Sequence, residues 1–151
     1  METRAEVEIA APAAAIWQTL LDFQGYGEWN PFITHLATSG AVSEGATLRV
    51  FVSLPEGSDH ELESRVIRCE DSFELRWRTH FGFPGLFDSE YFFRLIELEP
   101  GRTRFMQGAN FTGILQRLAG RTIAQAERGF VYMNRALKKR VELQPLSVPR
   151  A

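Results

Sequence analysis

The sequence predicts an α+β domain in which an antiparallel sheet is covered on its apolar face by one long C-terminal helix. Three observations carry this. Stretches of alternating apolar and polar residues, separated by turn signals, follow one another from the N-terminus to Thr112, as half-buried strands do. From Ile123 to Val141 the period changes: Ile123, Ala126, Phe130, Met133, Leu137 and Val141 recur at threes and fours, which makes an amphipathic helix of about five turns. Between the first and second alternating stretches, Ala11 to Phe32 is rich in Trp, Tyr and Phe and does not alternate.

Arg4 to Ile9 reads as the first strand, with Ala5, Val7 and Ile9 on one side. Pro12 suits the first turn of a helix, where its missing N–H costs nothing. Ile16/Trp17 and Leu20/Leu21 then give that helix one apolar face. Gly25 and Gly27 keep a second helix short, and Pro31 biases Asn30 away from helical geometry. Ile33 to Ser39 is the second strand. Ala46 to Leu54 follows, with Leu48, Val50 and Val52 on one face, and Pro55-Glu56-Gly57 ends it. His60 to Cys69 sets Leu62, Ser64 and Val66 against Glu61, Glu63 and Arg65. Phe73 to Thr79 places Phe73, Leu75 and Trp77 inward and Glu74, Arg76 and Arg78 outward. Ser89 to Glu97 and Thr103 to Thr112 form a hairpin across Pro100-Gly101. Inside the long helix Gly129 costs about 1 kcal/mol, so it marks a close packing contact or a slight bend. Residues 1–143 are expected to form one domain. Pro145 and Pro149 make residues 144–151 a frayed tail.

A chain of 151 residues buries about two-thirds of its unfolded surface as one domain. With 17 Lys plus Arg against 19 Asp plus Glu, the net charge is −2, which gives no broad drive toward nucleic acid. The basic run from Arg135 to Arg140 reads as a solvated helix face. The single cysteine, Cys69, excludes an internal disulfide and fits a reducing compartment. No signal peptide is evident, and no stretch approaches the ~20 apolar residues of a membrane span. The expected location is the cytoplasm, with no integral membrane association. The sequon Asn110-Phe111-Thr112 then carries no weight.

The run APAAAIWQTLLDFQGYGEWNPF resembles the pattern APxxxIWxxLxDFxxYxxWNPF that follows the first strand in the SRPBCC superfamily, the START-like or polyketide cyclase/dehydrase-like proteins. The similarity continues through Arg76-Trp77-Arg78, Phe83-Pro84-Gly85-Leu86-Phe87, Tyr91-Phe92-Phe93 and Thr103 to Gln107. It closes with Phe111-Thr112-Gly113, Gly129-Phe130, Met133-Asn134 and Ala136-Leu137-Lys138, so that it spans residues 3 to 142. The resemblance implies the helix-grip fold, a curved sheet around the C-terminal helix, with a cavity between sheet and helix.

Motifs for catalysis are missing. His35, His60 and His80 have no metal-ligand spacing, and there is no HExxH, paired-cysteine motif, calcium loop, GxSxG elbow or phosphate-binding glycine loop. Neither metal nor cofactor is expected. What the pattern offers is a lining. Phe105, Gln107, Ala109 and Phe111 share a strand face, as do Ser89, Tyr91, Phe93 and Leu95. Turned inward, they meet Trp77 and the helix residues Phe130, Met133 and Leu137. The residues alone leave open whether this is packed core or a pocket of apolar walls with a few orienting polar groups. The resemblance favours a ligand-binding cavity, lined further by Trp29, Val50, Val52, Leu62 and Val66. Tyr91, Gln107, Asn30 and Asn134 are the candidate polar groups. Asn134 has the alternative of a structural hydrogen bond to backbone, and Trp29 that of packing the short helices on the sheet. The family pattern often has an acidic residue where Ala109 stands, which weakens acid/base catalysis there. In the loop His80 to Asp88, Phe81, Phe83, Leu86 and Phe87 are odd among Gly and Pro for a solvated turn. It reads first as a lid or buried plug, with a homodimer interface or a membrane contact as alternatives.

Three functions fit. The leading one is binding of a small hydrophobic or aromatic ligand such as a lipid, isoprenoid or polyketide-like compound. The second is a cyclase or dehydratase, for which Tyr91 is the main candidate acid and His35 a distant second. The third is a protein-interaction module resembling chaperone activators of the same fold, using Glu74, Arg76, Arg78, Glu90 and Arg94 or the Phe81–Phe87 loop.

Overall fold

The computed structural model describes residues 1–143; the expected tail from 144 to 151 lies outside the described residues. Seven strands make one antiparallel sheet. In chain order they are β1 (Glu2–Ile9), β2 (Ile33–Thr38), β3 (Thr47–Ser53), β4 (Asp59–Glu70), β5 (Glu74–Phe81), β6 (Phe87–Glu99) and β7 (Arg102–Thr112). Across the sheet the order is β1-β7-β6-β5-β4-β3-β2, a meander from β2 to β7 with β1 added beside β7. Helix α1 (Ala13–Leu21) and a 3-10 turn (Phe23–Glu28) connect β1 to β2. A second 3-10 turn (Gln116–Leu118) leads into α2 (Gly120–Glu142). The curled sheet around its C-terminal helix is the helix-grip arrangement. Breaks in register at Val66/Arg68 and Ile33/His35 help to curl it, since a bulge bends its strand and increases the local twist.

The long helix buries the face expected of it: Ile123, Ala126, Phe130, Met133, Leu137 and Val141, with Gly129 and Asn134 beside them. Gly129 is a packing contact. A methyl group there would sit 2.3 Å from the Phe32 ring, so the absent side chain lets Phe32 lie against the helix, edge-on to Phe130. Pro12 stands one place before α1 in extended geometry, at the N-cap rather than in the first turn. Tyr26 is fully buried, and its hydroxyl donates to the Leu20 carbonyl at 2.6 Å, which ties the 3-10 turn back onto α1.

The outer face of the sheet departs from simple alternation. Phe73 falls in the turn before β5, against the guanidinium groups of Arg68 and Arg94. Glu74, expected to point into solvent, is fully buried. It accepts from Arg94 at 2.6 Å and from Arg76 and Arg68 at 3.2 Å each. Burial alone would raise its carboxyl, but the hydrogen bonds and charges of Arg76 and Arg94 hold it below the usual carboxylate range. Phe92 is covered by the Arg76 and Arg94 guanidinium groups. It lies over Gly108, where a methyl group would meet its ring at 3.0 Å.

Candidate functional site

Strand register divides the concave face into two zones. Thr79, Ser89 and Phe111 lie side by side across β5, β6 and β7, and Trp77, Tyr91 and Ala109 form the next row. All six border a cavity of about 200 Å³. One row further, Leu75, Phe93 and Gln107 align, and none of them touches it. Val50, Val52, Leu54, Leu62 and Ile33 close one side, and Phe32, Thr122 and Phe130 close the face opposite the sheet. Phe81 and Phe87, paired at the base of the β5–β6 hairpin, complete the wall. His60 and Thr122 belong to the wall and are also exposed, so the cavity meets the surface between the β3–β4 turn and the start of α2.

The wall is made of ring faces. Trp77 stacks on Tyr91 with centroids 4.7 Å apart, and Phe87 stacks on Phe111 at 5.6 Å. Phe130 meets Tyr91 edge-on at 5.5 Å. Apart from the Ser89 hydroxyl, the hydrogen-bonding groups inside the mouth are turned away or satisfied. Thr79 Oγ1 pairs with Ser64 Oγ at 2.6 Å. The Tyr91 ring borders the cavity, but its hydroxyl donates to Gln107 Oε1. The Gln107 amide in turn donates to Asn134 Oδ1 at 2.6 Å and to the Phe130 carbonyl at 3.3 Å. The Tyr91 ring is the cavity floor, and this chain of hydrogen bonds lies beneath it. Burial, with Tyr26 nearby, raises the Tyr91 phenol well above its ordinary range, so the proton stays on the hydroxyl.

Of the residues expected to line a ligand cavity, Val50, Val52, Leu62, Trp77, Tyr91, Phe111 and Phe130 stand in this wall, as do Phe81 and Phe87 of the loop. Val66, Phe93, Phe105, Met133 and Leu137 are instead packed core, because there the helix closes directly onto the sheet. Gln107 and Asn134 lie beneath the floor and do not border the cavity; Gln107 bonds to Tyr91, Asn134 and the Phe130 carbonyl, while Asn134 Nδ2 has no partner among the described residues. Asn134 bonds to a side chain, not to the backbone suggested for it. Asn30 accepts from the Phe32 and Ile33 N–H groups at 3.0 and 2.9 Å and so shapes the entry to β2. Trp29 packs edge-on against Tyr26 at 5.3 Å. The loop is not a buried plug. Phe83 is exposed and Leu86 half-buried.

Sequence reasoning missed His60 and Thr122 at the mouth and Phe32, Ile33, Leu54 and Thr79 in the wall, while Ser89 and Ala109 lie on the strand faces it offered as a lining. Alternation with Trp77 would have found Thr79, and a spacing of two helical turns from Phe130 would have found Thr122. His35 lies on β2 against Phe51, away from the wall. The charges suggested for a partner surface neutralise one another: Glu90 pairs with Arg78 at 2.7 Å and Arg76 at 3.6 Å, beside the Glu74 cluster. Among the described residues no group of three His, Cys, Asp or Glu could hold a metal ion, and no helix is long and apolar enough to cross a membrane.

A sequence profile described as "Polyketide cyclase / dehydrase and lipid transport" matches residues 1–142. The chain belongs to that family. Among curated proteins, none matches it by sequence. Solved structures share the fold of this polyketide cyclase-like chain at low identity. A START superfamily protein from Mycobacterium smegmatis superposes with a TM-score of 0.74 at 23% identity, over 93% of this chain and 97% of the other. The Zhui aromatase/cyclase from Streptomyces sp. R1128 gives 0.75 at 19%, over 94% and 93%. A protein from Thermobifida fusca gives 0.70 at 23%, over 93% and 92%. The shared fold therefore extends along nearly the whole chain.

Proposed function

We propose that this protein binds a small, flat, apolar molecule of one or two fused rings, or a short hydrocarbon chain, in the cavity between sheet and helix. The observation that carries the reading is the wall itself: stacked aromatic faces around about 200 Å³, with the hydrogen-bonding groups committed elsewhere or placed at the mouth. A cavity of ~150 Å³ takes one benzene ring, so the volume suits a bicyclic aromatic and is too small for a diacyl lipid. Burying the ligand contributes roughly 25 cal/mol per Å² of apolar area before ordering costs. The exposed His60 and Thr122 give a polar substituent its place at the mouth.

The likeness to an aromatase/cyclase favours a second reading, in which the cavity folds a reactive chain and one group moves a proton. Tyr91 would have to release its bond to Gln107 to do so. Turnover of an aromatic polyketide that is lost in Tyr91→Phe while binding persists would establish it.

The test of binding is titration of 2-naphthol, followed by its fluorescence, together with native mass spectrometry of gently purified protein. Saturable one-to-one binding is expected, and Ala109→Leu, which adds three carbons at the cavity wall, should abolish it. Equal binding by wild type and Ala109→Leu would place the ligand elsewhere and overturn the reading.

A further inference from the structure

Beside the cavity mouth, two loops are fastened into one tip. The Ile114 N–H donates to the Gly85 carbonyl at 3.1 Å and the Leu115 N–H to the Leu86 carbonyl at 2.9 Å. Gly113, at φ +105°, lies so close to the Leu86 carbonyl that a methyl group would meet its oxygen at 2.6 Å, so only glycine permits the junction. The fastened tip pushes large apolar side chains into solvent. Phe83 is 61% exposed, Ile114 75% and Leu118 82%. Isolated exposed apolar residues are ordinary, but a contiguous cluster marks an interaction surface.

The charge along the second of these loops has one sign. From Arg102 to Ala126 the sequence has no Asp or Glu, while Arg117 and Arg121 flank Leu118. Both arginines are exposed, and among the described residues neither makes an ion pair. Arg121 stands in the first turn of α2, which has no acidic residue and no side-chain cap. A cation there opposes the helix dipole, so it does not serve the helix. In the other loop, Asp88 is engaged by His80 at 2.7 Å and by the Gly85 N–H at 3.0 Å.

We infer that this tip docks on an anionic phospholipid bilayer, with Phe83, Ile114 and Leu118 entering the interface and Arg117 and Arg121 meeting lipid headgroups. Apolar side chains ringed by arginine are the chemistry of interfacial anchoring. The charge decides the occupant, because the chain as a whole carries −2, whereas here two exposed arginines without an acidic partner among the described residues stand beside exposed apolar side chains. The tip also adjoins the cavity: Phe81, Phe87 and Phe111 lead from it into the wall. If the cavity binds as proposed above, on which this last step rests, an apolar ligand passes between bilayer and cavity with little exposure to water.

The test is co-sedimentation with vesicles of phosphatidylcholine alone or with about one-third phosphatidylglycerol, alongside 2-naphthol titration without vesicles. Wild type should sediment with the anionic vesicles, weakly with the neutral ones, and be released as salt rises. Arg117→Glu with Arg121→Glu should lower the partition coefficient at least about tenfold. Ile114→Ser with Leu118→Ser should lower it comparably, and both pairs should melt as wild type does and bind 2-naphthol normally. Failure of wild type to sediment, or sedimentation untouched by either pair, overturns the docking surface. So does a concentration-dependent dimer abolished by Leu118→Ser, which would assign the tip to a second copy. Ala109→Leu separates the two proposals, since it should lose 2-naphthol and keep the vesicles.

Discussion

Phe93 on β6 and Phe111 on β7 both point to the concave side of the sheet, and nothing in their local sequence tells them apart. Phe93 is enclosed by Trp77, Tyr91 and Phe105, with ring centroids 5.3 to 5.7 Å away. Phe111 stacks on Phe87 and turns its remaining surface to the cavity. The boundary between them runs along the Tyr91–Gln107–Asn134 hydrogen bonds. On one side the C-terminal half of α2 sits directly on the sheet. On the other, the N-terminal half is tied to the β1 edge, where Glu127 accepts from Thr3, and Thr122 and Phe130 face the cavity. One continuous apolar face thus serves as core at one end and as a container at the other, and its distance from the helix decides which.

Truncating the two phenylalanines tests this division most strongly. Phe93→Ala should cost about 4 kcal/mol in urea unfolding, because it opens a new void in close packing. Phe111→Ala should cost about half as much, because its site already borders empty space, and should weaken 2-naphthol binding. Equal losses would remove the distinction between the halves.

The outer side of the packed end carries the next effect. Glu74→Gln should cost about 2 kcal/mol near neutral pH, as hydrogen bonds to charged groups are lost, while Arg68, Arg76 and Arg94 can still turn to water. The sign with pH follows from the lowered carboxyl. Its contribution is complete above the unfolded Glu value of about 4.3 and is lost as pH falls through the lower folded value. Wild type and Glu74→Gln should therefore converge in stability on acidification below pH ~4. A difference that persists unchanged there would contradict the ion-pair account.

Tyr91→Phe should cost about 1 kcal/mol, since it leaves Gln107 Oε1 without its donor, and leave 2-naphthol affinity unchanged. Lost affinity would mean that the hydroxyl faces the ligand rather than the floor. Gly129→Ala changes stability by a net loss of up to about 2 kcal/mol. Overpacking against Phe32 costs 1–3 kcal/mol, and helix propensity returns about 1. Its sharper reading is in the cavity, where a displaced Phe32 ring should reduce the bound fraction.

Periodicity made most of the fold legible. The strands, the helix and the inward residues of each follow from alternation and from threes and fours, and the family pattern supplied the grip. What alternation could not supply is depth. Phe105, Gln107, Ala109 and Phe111 share a face by spacing, yet only Ala109 and Phe111 reach the cavity, because that depends on where the helix axis diverges from the sheet. Glu74 escaped for a related reason. Its burial is made by arginines from β4, β5 and β6, whose convergence is a matter of register. Asn30 and Asn134 read as polar and accessible in the sequence, whereas their carbonyl oxygens accept hydrogen bonds inside the fold.

The placing of β1 beside β7 has a consequence for how the protein is made. From β2 onward every strand finds its partner in the next one synthesised, but Glu2 pairs with Asn110, about a hundred residues later. At roughly 5–20 residues per second, a growing chain holds β1 without its partner for several seconds or longer. During that time its ladder groups are an open edge, and closing so long a loop adds to the barrier. Glu2, Arg4, Glu6 and Glu8 place a charge at every second position of that strand, which keeps the waiting edge from pairing with a neighbouring nascent chain. The first of the seven strands to be made is thus among the last to be secured, and its charges protect it until β7 arrives.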